Sequence, residues 1–142
     1  MTTRGAGRPP TKPIPQPDFL TQPFWDGTKA GELRVQRCQA CDTKFFYPRE
    51  RCPECLSNKL EWVKVSGRGR VYTFTVVRQP GNPAFNDDVP YIFAVIQLDE
   101  GPRMNGNVKG IPVEQVKVDM PVEVFFEAAS PEVHVPQWRP AK

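Results

Sequence analysis

From residue 60 onward apolar and polar residues alternate with a period of two, the signature of half-buried strands. In EWVKVSGRGRVYTFTVV (61–77) the alternation puts Val71, Thr73, Thr75 and Val77 on one face and Tyr72, Phe74 and Val76 on the other. Gly67 and Gly69 suit a bend or bulge in a strongly coiled strand. YIFAVIQL (91–98) is almost wholly apolar and reads as a central strand. GPRMNGNVKG (101–110) fits its hairpin partner, and MPVEVFFEA (120–128) alternates again, with Val122, Val124 and Phe126 together. QPGNPAFNDDVP (79–90) reads as a loop. Five or so short strands with Gly-marked bends predict a small Greek-key barrel, of which the OB-fold is the commonest form.

The N-terminal part has a different rhythm. Residues 1–17 hold five prolines and little to bury, and read as a disordered or extended tail. A short helix is expected within 21–30, capped by Thr21, with Pro23 in its first turn, Gly27 weakening its middle and Gly31 ending it. Phe19, Phe24 and Trp25 give this segment more apolar surface than so short a helix can bury alone. It docks either on its own domain or on a partner. ELRVQRC (32–38) and FFYP (45–48) read as two short strands. The expected division is a tail (1–17), a helical segment with a metal ribbon (18–59), and a barrel with a C-terminal extension (60–142).

The stretch CQACDTKFFYPRERCPEC (38–55) separates two Cys-x-x-Cys pairs by ten residues and holds all four cysteines of the chain. Two such turns complete a four-thiolate shell from Cys38, Cys41, Cys52 and Cys55. Structural zinc favours that shell, and iron in a rubredoxin-like centre also suits sulfur ligands. Four protein ligands leave no open position for substrate. Against a two-disulfide framework, no charged-then-apolar leader points to an oxidising compartment. Against a redox pair, neither Cys turn opens a helix after a strand. Asp42 and Leu56 occupy positions where glycine is usual; Leu tolerates a positive φ poorly, so the second turn is expected to differ in shape.

Charge and the remaining chemistry narrow the function. The 19 Lys and Arg exceed the 16 Asp and Glu, but Arg4, Arg8 and Lys12 lie in the acid-free tail, leaving 16 of each sign in the body. A nucleic-acid binder ordinarily carries its basic footprint on the folded domain. His134, the single histidine, sits near the C-terminus, and Asp87–Asp88 and Asp99–Glu100 read as solvated loop acids. No phosphate-cradling or dinucleotide fingerprint is present, and no catalytic constellation assembles. No apolar run approaches a membrane span, and a cytoplasmic protein is expected.

The order FWDGTKAGELRVQRC, four-cysteine ribbon, SGRGRVYTFTVV, PYIFAVIQLDEGPRMNGNVKG, MPVEVFF resembles the zinc-ribbon OB-fold proteins of domain-of-unknown-function family 35, over roughly residues 18–128. The resemblance implies a mainly β protein: a short N-terminal helix and rubredoxin-like zinc ribbon, followed by an OB-fold barrel. It implies binding to thiolase-like enzymes, related aldolases or acyl-CoA hydratases, where the small protein helps form or shield the acyl-CoA channel. It matches Cys38, Cys41, Cys52 and Cys55 to zinc ligands, Phe24–Gly27 to the helical signature, Gly67, Gly69, Val71 and Tyr72 to the first barrel strand, and Gly101 to the bend after the central strand. Arg70 and Asp119 depart from it. It carries no coenzyme A contact motif. Arg34, Arg37, Lys44, Arg49 and Arg51 could meet coenzyme A phosphates or balance the charge of a four-thiolate centre. The expected function is a non-catalytic accessory subunit of an acyl-CoA-metabolising complex, with Phe19, Phe24 and Trp25 facing the partner. The alternative is a single-stranded nucleic-acid binder, for which Tyr72, Phe74 and Phe93 would have to be exposed rather than core, as the alternation has them.

Overall fold

The computed structural model describes residues 11–142, so most of the Pro-rich tail lies outside the described residues. One helix, α1 (Gln22–Lys29), precedes eight strands: β1 (Leu33–Cys38), β2 (Lys44–Phe45), β3 (Leu60–Val65), β4 (Arg68–Val77), β5 (Tyr91–Leu98), β6 (Arg103–Val108), β7 (Pro121–Ala128) and β8 (His134–Pro140). The first three form a small antiparallel sheet in the order β2-β1-β3, and the other five close a barrel in the order β4-β5-β6-β8-β7. The mainly β reading holds, with the helix and ribbon ahead of the barrel.

The helix is anchored one turn earlier than its sequence suggests. Thr21 makes no capping bond to α1. Instead Asp18 and Thr21 bond reciprocally: the Thr21 N–H donates to Asp18 Oδ1 at 2.8 Å, and the Asp18 N–H donates to Thr21 Oγ1 at 3.1 Å. The Thr21 backbone N–H, with help from its hydroxyl, holds the Asp18 carboxyl below its ordinary pKa. Gly31, at φ +79°, ends the helix as expected. The Glu32 N–H reaches Gly27 O and the Gly31 N–H reaches Thr28 O, the paired bonds of a Schellman stop. Gly27 has a packing role. A Cβ there would sit 2.8 Å from Arg34 Cδ, and Arg34 crosses this gap to donate to Pro23 O.

β3 pairs along its length with β1, Leu33↔Val65 through Cys38↔Leu60. The strand that begins at residue 60 therefore belongs to the ribbon sheet, and the barrel strands begin with β4. Leu33, Val35, Val65 and Phe24 are buried in the same cluster as the barrel's Val71, Ile92, Ile96, Leu98 and Trp138, so one core joins sheet, helix and barrel.

Two local features depart from simple alternation. A β-bulge between Val71 and Thr73 shifts the register of β4 against β5. Gly69 and Val71 point inward before it and Phe74 after it, while Tyr72, Thr73 and Thr75 are exposed, so Val71 does not share a face with Thr73 and Thr75. Tyr72 is consequently a surface residue, 49% exposed, Phe93 stands on the outward row of β5, 41% exposed, and only Phe74 packs against the core. The C-terminal segment is also no appendage: β8 completes the barrel, antiparallel to β7 and parallel to β6, and brings in fully buried Trp138. Gly106 on β6 makes room for it, since a Cβ there would lie 2.7 Å from the indole Nε1.

Candidate metal centre and adjoining cleft

β1 delivers Cys38 into a turn that carries Cys41, and the ribbon loop delivers Cys52 and Cys55 in a matching turn. The Asp42 N–H donates to Cys38 O at 2.8 Å, and the Leu56 N–H to Cys52 O at 3.0 Å. Asp42 and Leu56 stand at φ +65° and +63°. The two turns are therefore alike, contrary to the expectation that Leu56 would change the second one. Leu56 adopts the left-handed conformation without being glycine, with its side chain 67% exposed.

The four Sγ atoms lie within 4.8 Å of one another, with Cys38–Cys55 at 3.5 Å and Cys41–Cys52 at 3.6 Å. A tetrahedral zinc with Zn–S bonds of about 2.3 Å sets sulfur–sulfur edges of about 3.8 Å, whereas a disulfide requires about 2.05 Å. All four cysteines are free. Without a cation their protons divide unevenly. Cys41 is lowered to about 6, chiefly by hydrogen bonds from Thr43. Cys55 is raised to about 12: the Ser57 backbone N–H, which lowers it, is outweighed by the Cys38, Cys41 and Cys52 sulfurs and by burial. Four neighbouring thiols cannot all ionise near neutrality unless a cation offsets them, so spacing and donor chemistry both fit a divalent soft-ligand metal.

Part of the surrounding basic set is already engaged. Arg37 bridges Asp42 and Glu61, and Arg34 pairs with Glu32. Arg51 donates to Leu56 O at 3.2 Å, beside the second turn. Lys44 and Arg49 have no described carboxylate partner.

Beside the ribbon, a cleft of about 380 Å³ opens between α1, the loop after β2, and the β6–β8 seam. Phe24, Trp25, Phe46 and Tyr47 form its aromatic wall. Phe24 is 5% exposed and packs edge-on against Trp25, with ring centroids 5.0 Å apart, and against Phe46 at 5.3 Å. Gln36, buried on β1, holds that wall: its amide donates to Arg49 O at 2.9 Å and accepts from the Arg49 N–H at 2.7 Å. The floor comes from Phe93, Met104–Asn107 and Val135–Gln137. These strands diverge because the parallel pairing of β6 with β8 is confined to Val108↔Trp138. Trp138 O accepts from the Lys109 N–H, so the same edge of β8 at position 136 faces β6, and Pro136 has no N–H to extend the ladder.

Of the three aromatics singled out from sequence, Phe24 and Trp25 line this cleft, whereas Phe19 stands outside it, 83% exposed on the Asp18–Thr21 turn. Phe46, Tyr47 and the β6 and β8 positions were not anticipated. The other candidates stay apart. His134 opens β8, Asp88 pairs with Lys12 at 2.6 Å, and the Glu100 carboxylate accepts from Ser66. The hydroxyl–carboxylate pairs among the described residues, such as Ser66–Glu100 and Thr21–Asp18, are exposed turn contacts.

Comparison with known proteins follows the same two-part division. Residues 25–61 match the family model described as the rubredoxin-like zinc ribbon domain of ChsH2, and residues 62–127 that of its C-terminal OB-fold domain. A probable enoyl-CoA hydratase alpha subunit from Thermomonospora curvata is 38% identical over 119 residues, covering 83% of this chain and 37% of that protein. A DUF35 domain-containing scaffold protein from Methanocaldococcus jannaschii is 40% identical over 91 residues, covering 63% of this chain and 64% of that protein. The chain thus spans about a third of the first relative's length and just under two thirds of the second's. A solved structure described as the Ltp2-ChsH2(DUF35) aldolase contains a chain 34% identical, with a TM-score of 0.79, covering 89% of this chain and 98% of that one. No helix among the described residues is long and apolar enough to cross a membrane.

Proposed function

The chain belongs to the DUF35 family, in which a rubredoxin-like zinc ribbon precedes an OB-fold domain, and from that premise we propose that it is a non-catalytic accessory subunit of an acyl-CoA-metabolising complex. Cys38, Cys41, Cys52 and Cys55 hold one structural zinc, which fixes the ribbon and performs no chemistry. The partner is a thiolase-like enzyme, a related aldolase or an acyl-CoA hydratase, and the two form a hetero-oligomer in the cytoplasm. The partner supplies the nucleophile and bases, while this chain helps form or shield the acyl-CoA channel.

One observation carries this reading. Exposed Phe19, held on a hydrogen-bonded turn, stands next to an aromatic cleft built from helix, ribbon and barrel together. Rigid aromatic side chains beside an apolar pocket are the usual anchors of protein interfaces. The names of the relatives, which include a hydratase subunit, a scaffold and an aldolase, support the class of partner. The sharpest experiment is to purify the chain with and without its copurifying enzyme and assay acyl-CoA turnover. Activity confined to the complex is expected. Turnover by the chain alone, abolished in His134→Ala, would overturn the reading.

A further inference from the structure

The barrel wall stops short along one edge. β4 pairs with β7 only over Arg68–Arg70, and Val71 then bonds to Met120 and Asp119 just before β7. From Thr73 to Val77 the strand has β5 on one side and no backbone hydrogen bond on the other among the described residues. Bonding alternates along β5: the Leu98 N–H donates to Pro102 O on the β6 side, and the Asp99 N–H to Arg68 O on the β4 side. Continuing that alternation, Val95, Phe93 and Tyr91 bond to their partners Thr73, Thr75 and Val77. The N–H and C=O of Phe74 and Val76 therefore face away from β5. Burial stops at the same line. Ala94 and Ile92 are 1% exposed, while Phe74 and Val76, opposite them, are only half-buried.

Such an edge is normally blunted by a charge, a proline or a bulge. TFTVV (73–77) holds no charge and no proline, and the bulge lies before it, between Val71 and Thr73. Cations stand only at its two ends: residues 68–79 hold Arg68, Arg70 and Arg78 and no acid. None of the three is ion-paired with a described carboxylate. Beside the edge, a depression of about 220 Å³ is lined by Thr73, Thr75, Phe93 and Val95. Phe93 also lines the aromatic cleft, so the two recesses meet at one side chain.

We propose that the free edge of β4 takes an extended strand of the partner enzyme, apolar or β-branched at its centre and acidic at its ends. The strand's backbone pairs with Phe74 and Val76, one of its side chains fills the depression, and its acids meet Arg70 and Arg78. This inference rests on the accessory-subunit reading and extends that interface from the cleft past Phe93. Charge disfavours the two other occupants. Two copies of this chain paired antiparallel about Phe74 set Arg70 of each opposite Arg78 of the other, and pairing about Thr75 sets them diagonal. Residues 1–10 hold Arg4, Arg8, Pro9 and Pro10 and no acid, so they suit the edge in neither charge nor N–H supply.

Hydrogen exchange read at single amides tests this, on the zinc-loaded full chain alone and in complex with its copurified enzyme. In the free chain the Phe74 and Val76 amides should exchange about tenfold or more faster than those of Thr73, Thr75 and Val77, and in the complex they should slow to match. Val76→Pro removes an N–H on the free side alone and should weaken enzyme binding by about tenfold or more. Val76→Thr keeps that N–H and should bind within about threefold of wild type. Melting curves separate lost binding from lost fold, and the exchange comparison uses the wild-type chain throughout. Slow Phe74 and Val76 amides in the free chain overturn the proposal: release on dilution would assign the edge to a second copy, and release on removal of residues 1–10 to the tail. An enzyme-bound chain whose two amides still exchange fast overturns it as well, and leaves the accessory-subunit reading standing. A chain that copurifies with no acyl-CoA enzyme overturns that reading first and this proposal with it.

Discussion

Phe19 and Phe24, five residues apart, should behave as opposites. Phe24 is 5% exposed and wedged between Trp25 and Phe46. Truncation to alanine removes most of a buried ring and leaves a cavity where helix, ribbon and barrel meet, a change worth about 3–5 kcal/mol. At roughly 4 °C per kcal/mol for a domain of this size, the melting temperature should fall by about 12–20 °C. Phe19 is 83% exposed and makes no aromatic contact with the rest of the fold. Its truncation should change stability by about 0.5 kcal/mol or less. In the complex the ranking reverses. If Phe19 is buried by the partner, losing about 1.5–3 kcal/mol of apolar burial weakens association by about 10- to 150-fold. The assay pairs calorimetric melting of the isolated zinc-loaded chain with surface-plasmon-resonance affinity for the copurified enzyme. The reasoning fails if Phe19→Ala melts as early as Phe24→Ala, or if it melts like wild type and binds the enzyme equally well.

Three further outcomes follow. Elemental analysis of chain purified without added metal should find one zinc per chain, and Cys52→Ser should unfold the ribbon; a folded, zinc-free chain with two disulfides would contradict this. Leu56→Gly relieves a left-handed strain and should raise stability by about 0.5–1 kcal/mol, read as a melting temperature higher by about 2–4 °C; a lower value would show that the exposed Leu56 side chain contributes packing. Gly106→Ala drives a methyl toward the Trp138 indole and should destabilise the barrel by about 1–3 kcal/mol, whereas an unchanged melt would mean that the β6–β8 seam yields freely.

Features that depend on short sequence spacing were readable before the fold. The double Cys turn, the apolar β5 and the Gly31 stop each rest on a few adjacent residues, and each stands in the structure where its chemistry places it. The bulge at Tyr72 was not readable, because one extra residue reverses the phase of everything after it and leaves no compositional mark. That single reversal moved Thr73 and Thr75 out to the surface. β8 escaped notice because Pro131, Pro136 and Pro140 resemble loop punctuation. In the structure Pro136 lies outside the single β6–β8 bridge, where no N–H is required of it. The reciprocal Asp18–Thr21 turn was encoded in DFLT, whose acid and hydroxyl lie three residues apart as in a cap. The cleft was hidden for a different reason: its walls come from residues near 24, 47, 105 and 136, brought together only by closure of the barrel.

Native mass spectrometry of the untagged complex, purified from its own cells and followed by identification of each subunit, tests the central claim most directly. The account predicts a fixed-stoichiometry assembly in which this chain, carrying one zinc, is joined to a thiolase-like enzyme, an aldolase or an acyl-CoA hydratase. A chain that runs alone, or in fixed stoichiometry with a protein unrelated to acyl-CoA chemistry, would contradict it.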